Sequence, residues 1–184
     1  MGEAAKNSQI EVEKMIRWLP LRVVFILILL MALPDLSPAG QSKVIHVYDG
    51  DTIRVIEKGR EIKIRLVGID SPETYKGKDK PGQPFSRKSK DYLSKLVSGK
   101  TVEIMSYGTD DYGRILGVIY LDGISINFEM VRSGLAEVYR AMPPKGFDIT
   151  AYKDAEEEAR KTKKGMWIQG DKYISPWKWR RRYR

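Results

Sequence analysis

KVIHVYDGDTIRVIEKGREIKIRLV, residues 43–67, is the stretch that decides the fold. Residues 43–48 and 52–57 are rich in β-branched side chains, and Asp49-Gly50 between them is a hairpin signal. Residues 61–67 alternate: Ile62, Ile64 and Leu66 fall on one face, Lys63 and Arg65 on the other. Lys58-Gly59 supplies the intervening turn, so the stretch predicts a three-stranded antiparallel meander.

Beyond it, residues 69–82 form a polar loop rich in Lys, Gly and Pro. A helix follows, with Pro84 at its first position and Phe85, Ser89, Tyr92, Leu93, Leu96 and Val97 on one face. Residues 101–105 and 115–121 read as two more strands, and 128–132 as a short helix ending near Gly134. A last helix over 151–162 is acidic early and basic late, which suits the helix dipole, and Gly165 stops it. Five short strands with about three helices predict an α+β domain built on a small closed OB-fold-like β-barrel. The chain divides into a leader and linker at 1–42, a barrel domain at 43–170, and a basic aromatic tail at 171–184.

The net charge is +9 over 184 residues. Residues 1–42 carry four basic groups (Lys6, Lys14, Arg17, Arg22) and four acidic ones (Glu3, Glu11, Glu13, Asp35), so the whole excess lies in 43–184. A body this basic suits either polyanions, such as nucleic acid or an anionic membrane surface, or a basic surface kept for solubility. With no cysteine, disulfides, thiolate metal sites and a cysteine nucleophile are excluded. His46, the single histidine, has isoleucine and valine neighbours and reads as structural or surface, which argues against a serine triad.

Residues 23–33 read VVFILILLMAL, preceded by Arg17 and Arg22. Eleven helical residues rise about 16 Å, short of the roughly 30 Å hydrocarbon core, so the length suits a signal-peptide core. Ser37-Pro38-Ala39 offers small residues for cleavage before Gly40, while residues 18–21 extend the apolar run toward an uncleaved anchor. Both forms place the protein outside the cell, secreted or held at the outer face of the membrane through this segment.

Four short motifs carry the chemistry: Asp49-Gly50-Asp51-Thr52, Arg65-Leu66-Val67-Gly68-Ile69-Asp70, Ser71-Pro72-Glu73 and Tyr112-Gly113-Arg114. Asp51 and Asp70, at strand ends, would offer oxygen ligands to one hard cation such as Ca²⁺ if their strands are neighbours, as the meander allows. Glu73 lies close enough in sequence to address that ion's water. Arg65 and Arg114 offer guanidinium groups to a phosphate. Taken singly, each has an ordinary reading as a turn aspartate, a helix-entry glutamate or a solvated arginine. The ordered set is what points to phosphodiester hydrolysis. In the tail, Trp177, Trp179 and Tyr183 interleave with five basic residues, which suits either single-strand stacking or packing on the domain.

The four motifs in this order resemble the staphylococcal nuclease (thermonuclease) family, over about residues 43–167. The resemblance implies an OB-type five-stranded barrel with three helices. It implies a Ca²⁺-dependent endonuclease that cleaves DNA and RNA at the bond from phosphorus to the 5′ oxygen and leaves 3′-phosphates. By motif, Asp51 and Asp70 would be the carboxylate ligands of the metal and Ser71 would give its backbone carbonyl. Glu73 would orient or deprotonate the attacking water, and Arg65 and Arg114 would clamp the phosphate. Tyr112 and Tyr139 are the substrate-contact candidates. Ser71 stands where the best-known member has threonine, and Asp111 stands where a basic residue often precedes the Tyr-Gly-Arg turn. The loop at 74–82 is short but keeps Lys76, Lys78 and Lys80. A monomer with no obligate protein partner is expected. The rival readings are a non-catalytic nucleic-acid-binding OB-fold module and a membrane-anchored scaffold that sets its basic tail on anionic lipid.

Overall fold

β-Branched residues alternating along the chain build a sheet that curls until its edges meet. In the computed structural model, which describes residues 41–74 and 82–183, the strands are β1 (Gln41–Val47), β2 (Thr52–Glu57), β3 (Arg60–Leu66), β4 (Ile69–Asp70), β5 (Thr101–Thr109), β6 (Ile115–Leu121), β7 (Ile124–Ser125) and β8 (Glu137–Val138). The helices are α1 (Ser86–Val97), α2 (Ile126–Arg132), α3 (Thr150–Lys161) and α4 (Pro176–Arg182), with a 3₁₀ segment at Gly165–Lys172. The apolar run at 23–33 and the lysines at 76, 78 and 80 lie outside the described residues. Among the described residues no helix is long and apolar enough to cross a membrane.

The predicted meander is present: β1 pairs with β2 and β2 with β3, both antiparallel. β1 also pairs with β5, and β5 with β6. A parallel pairing of β3 with β6, Ile64 opposite Ile115 and Leu66 opposite Gly117, closes the five strands into a barrel. Closure removes the unpaired edges that would otherwise expose backbone donors. Asn127 staples this seam from α2. Its Oδ1 accepts from the Ile119 N–H at 3.1 Å, and its Nδ2 donates to the carbonyls of Val67 and Gly117 at 2.9 and 3.0 Å.

Val44, Ile53, Val55, Ile64, Leu66, Val102 and Ile119 fill the core, and Leu93 and Val97 of α1 join the same cluster. α1 begins at Ser86, two residues later than Pro84 suggests, because the chain is pinned just upstream. Gln83 is buried there and exchanges bonds with Glu73: the Gln83 N–H donates to the Glu73 carbonyl, and the Glu73 N–H to Gln83 Oε1. β5 runs four residues past the expected strand, bulging between Ser106 and Thr109, and so reaches the rim where β6 starts.

Residues 171–184, read from sequence as a tail, hold a further element. Ser175 caps α4 by accepting from the Lys178 N–H, and Pro176 sits in its first turn. Gln83 Nε2 donates to the Ile174 carbonyl at 2.7 Å, which brings this helix back to the barrel.

Candidate active site

One cleft of about 860 Å³ is lined by Asp49, Asp51, Arg65, Ser71 and Glu73, together with Asp110, Tyr112, Arg114, Tyr139, Trp177 and Arg180. All of the sequence-derived candidates except Asp70 line it, and Asp70 adjoins it through its contacts.

The acidic wall is built by strand ends. Asp51 precedes β2, and its main-chain carbonyl accepts from the Leu66 N–H at 2.8 Å. This places the Asp51 loop beside the end of β3. Gly50 makes that approach possible: a Cβ there would overlap Ser89 Oγ of α1 and lie 2.8 Å from Ser71 Cβ. Asp70 sits on β4, opposite Glu137 of β8, and is 2 % exposed. Asp51, 5 % exposed, accepts from the Ser71 N–H at 2.6 Å and from Thr52 Oγ1 at 3.0 Å.

A single guanidinium joins the two aspartates. Arg65 Nη1 lies 2.7 Å from Asp51 Oδ1, and Arg65 Nη2 donates to Asp70 Oδ1 at 3.1 Å. Burial opposes the charge on Arg65, but Asp51, Asp70 and Asp49 outweigh it and raise its pKa. Burial would likewise raise the Asp51 carboxyl, yet Arg65 and hydrogen bonds from Asp49 and Ser71 hold it below the usual range. Asp49 takes the opposite course: burial, then the neighbouring Asp51 charge, push it up to about 7. Asp49 was present in the first motif but carried no assigned role; its place beside Asp51 shows only once the loop is folded.

The second wall is the turn between β5 and β6. Gly113, with φ +72°, permits the turn, and Asp110 organises it. Asp110 Oδ1 accepts from the N–H groups of Tyr112 and Arg114, both at 3.0 Å. Its Oδ2 accepts from Arg114 Nε at 2.7 Å and Nη2 at 2.6 Å. Asp111, the residue singled out from sequence, is exposed, and it is Asp110 that holds Arg114. Tyr112 is 85 % exposed and its ring lies 5.4 Å beneath the Arg114 guanidinium. Tyr139 reaches the same cleft, its N–H donating to the Gly68 carbonyl at 2.9 Å. His46 is exposed and packs edge-on against Tyr48, on the surface of β1.

Sequence reasoning missed one participant altogether. Arg180 of α4 donates from Nη1 to Asp70 Oδ1 at 2.9 Å and to Glu73 Oε1 at 2.7 Å, and from Nη2 to Asp70 Oδ2 at 2.9 Å. The Ser175-Pro176 pair signals a helix start, but no local pattern says where that helix docks.

The donor set suits a hard cation. Asp51 and Asp70 are oxygen ligands held close by one fork and shielded from water, and cationic guanidinium groups now neutralise them. Among the described residues no group of three or more His, Cys, Asp or Glu side chains forms a ready metal cage, so main-chain and solvent oxygens would complete the shell.

A closed five-stranded barrel with carboxylates and arginines lining one cleft is an OB-type α+β domain. Residues 63–169 match the family model described as staphylococcal nuclease homologue, and the chain belongs to the staphylococcal nuclease family. It is 39 % identical over 150 residues to an Escherichia coli protein named an uncharacterized endonuclease, covering 81 % of this chain and 90 % of that one. It is 35 % identical over 165 residues to a Haemophilus influenzae protein of the same name, covering 87 % and 86 %. A Shigella flexneri protein named micrococcal nuclease is 34 % identical over 150 residues, covering 77 % and 80 %.

Proposed function

We propose that the chain is an endonuclease that hydrolyses phosphodiester bonds of DNA and RNA in a calcium-dependent reaction and leaves 3′-phosphate ends. The observation that carries this is the meeting of Asp51, Asp70 and Glu73 with Arg65 beside a cleft that Arg114 also lines. Family membership and relatives named as endonucleases and a micrococcal nuclease support it.

Asp51 and Asp70, with the main-chain carbonyl of Ser71, would hold the ion, which supplies Lewis-acid and template chemistry when bound. Glu73 orients or deprotonates the water that attacks phosphorus; the bond from phosphorus to the 5′ oxygen breaks, and that oxygen leaves as a hydroxyl. Arg65, fixed against two buried carboxylates, presents its charge without reorganising as negative charge grows on the phosphoryl oxygens. Arg114 supplies the second clamp once the phosphate competes with Asp110 for it. Tyr112 and Tyr139 offer ring faces to the nucleotides. With the leader read as an export signal or anchor, the substrate is met outside the cell.

Labelled DNA and RNA, incubated with Ca²⁺, Mg²⁺ or excess chelator and followed by end-group analysis, test this reading. Cleavage to 3′-phosphates with calcium alone is expected. Full activity in chelator sinks the calcium reading, and salt-sensitive binding without cleavage favours the non-catalytic module. N-terminal sequencing of protein recovered from the medium tests export and cleavage before Gly40.

A further inference from the structure

Arg180 stands where a cation would have to act. Both oxygens of Asp70 accept from its guanidinium, at 2.9 Å each, and the same group reaches Glu73 at 2.7 Å. Asp70 also takes Arg65 and is almost wholly buried, so its oxygens are engaged by two guanidinium groups. A hard cation needs those same oxygens as ligands, and two positive groups on one carboxylate repel each other. Arg65 touches one Asp70 oxygen and Arg180 takes both, so Arg180 is the direct competitor of an ion on Asp70.

The element that carries Arg180 is suited to leave. α4 has seven residues, too few for a stable helix on its own. Among the described residues, none of its side chains belongs to either apolar core cluster. Trp177, Lys178, Arg181 and Arg182 are exposed. Pro176 is its one buried residue, and the bonds that fix it are the Ser175 cap, the Gln83 bond to Ile174 at its base, and the Arg180 fork at its far end. Gln83 also exchanges backbone bonds with Glu73, so one residue ties the foot of the helix to the carboxylate that the helix covers.

We propose that α4 is an autoinhibitory latch in which Arg180 occupies Asp70 and Glu73, and that cation binding requires its release. This rests on the cation reading of the site. Calcium chloride titrations by calorimetry on the full chain, with folding checked by circular dichroism, test it. Arg180→Ala should tighten calcium binding about tenfold or more. Arg181→Ala removes the same charge from the exposed side of the helix and should shift affinity less than about twofold, since exposed charges are screened. Arg180→Lys keeps the charge but loses the fork; it should fall between, and stands in if the alanine variant fails to fold. In the unaltered protein, backbone amides of α4 should exchange with deuterium faster once calcium is added. Equal affinities for the unaltered and Arg180→Ala proteins, weaker binding by Arg180→Ala, or an equal gain from Arg181→Ala each overturns the latch while the calcium reading stands. No binding by any of them overturns both.

Discussion

The two walls of the cleft each hold an arginine on aspartate, but in different ways. Arg65 lies 13 % exposed between Asp51 and Asp70, which come from separate strand ends. Arg114 is 25 % exposed and pairs with Asp110, four residues back on the same turn. Arg65 is placed by the folded barrel and cannot move without leaving buried carboxylates uncompensated. Arg114 is placed by a local turn that the chain can make almost anywhere and can release at small cost. The first wall is therefore preorganised for charge, while the second is free to close on a ligand.

The largest effects should come from the acidic wall. Glu73→Gln should lower kcat by roughly 10³-fold in single-turnover cleavage with calcium, with the circular dichroism spectrum unchanged. Arg65→Ala should lower turnover by about 10²–10³-fold. It should also destabilise the metal-free protein by about 3 kcal/mol in urea melts, because Asp51 loses its principal cation. Arg114→Ala should lower turnover by about 10²-fold but shift stability by less than about 1 kcal/mol. Equal destabilisation by the two arginine variants would break the comparison between the walls.

Two smaller effects sharpen it. Asp49 has its pKa raised to about 7 by burial and by the Asp51 charge, against an ordinary 3.8. A carboxyl raised in the folded state contributes its stability below the unfolded value and loses it as pH climbs through the folded one. Asp49→Asn should therefore gain in melting temperature over the unaltered protein between pH 4 and pH 8 in chelator; a constant gap would refute the shift. Asp110→Asn keeps an oxygen for the Tyr112 and Arg114 N–H groups and loses only the ion pair. It should change stability by less than about 1 kcal/mol and kcat by less than about tenfold.

The same contrast explains what could be read from the chain. The meander was legible because Ile62, Ile64 and Leu66 alternate with Lys63 and Arg65, a pattern that two-residue periodicity imposes locally. The parallel seam between β3 and β6 leaves no such trace, since it joins Ile64 to Ile115 across the intervening helix. Asp51, Asp70, Glu73 and the two arginines were legible as a set of residue types whose chemistry is complementary. Asp110 was overlooked in favour of Asp111, although an aspartate bonding the N–H two residues on is a known turn device. Arg180 was out of reach, because 110 residues separate it from Asp70 and only docking brings them together.

The Ile64–Ile115 seam also sets a clock. Until β6 has been made and joined to β3, Arg65 and Arg114 belong to unconnected pieces of chain, and no cleft exists between them. α4 follows later on the chain, so the pairing that makes the cleft can form before the helix that carries Arg180. A chain made only as far as β5 thus lacks the cleft, whereas one made past the barrel but short of α4 would carry the cleft without Arg180.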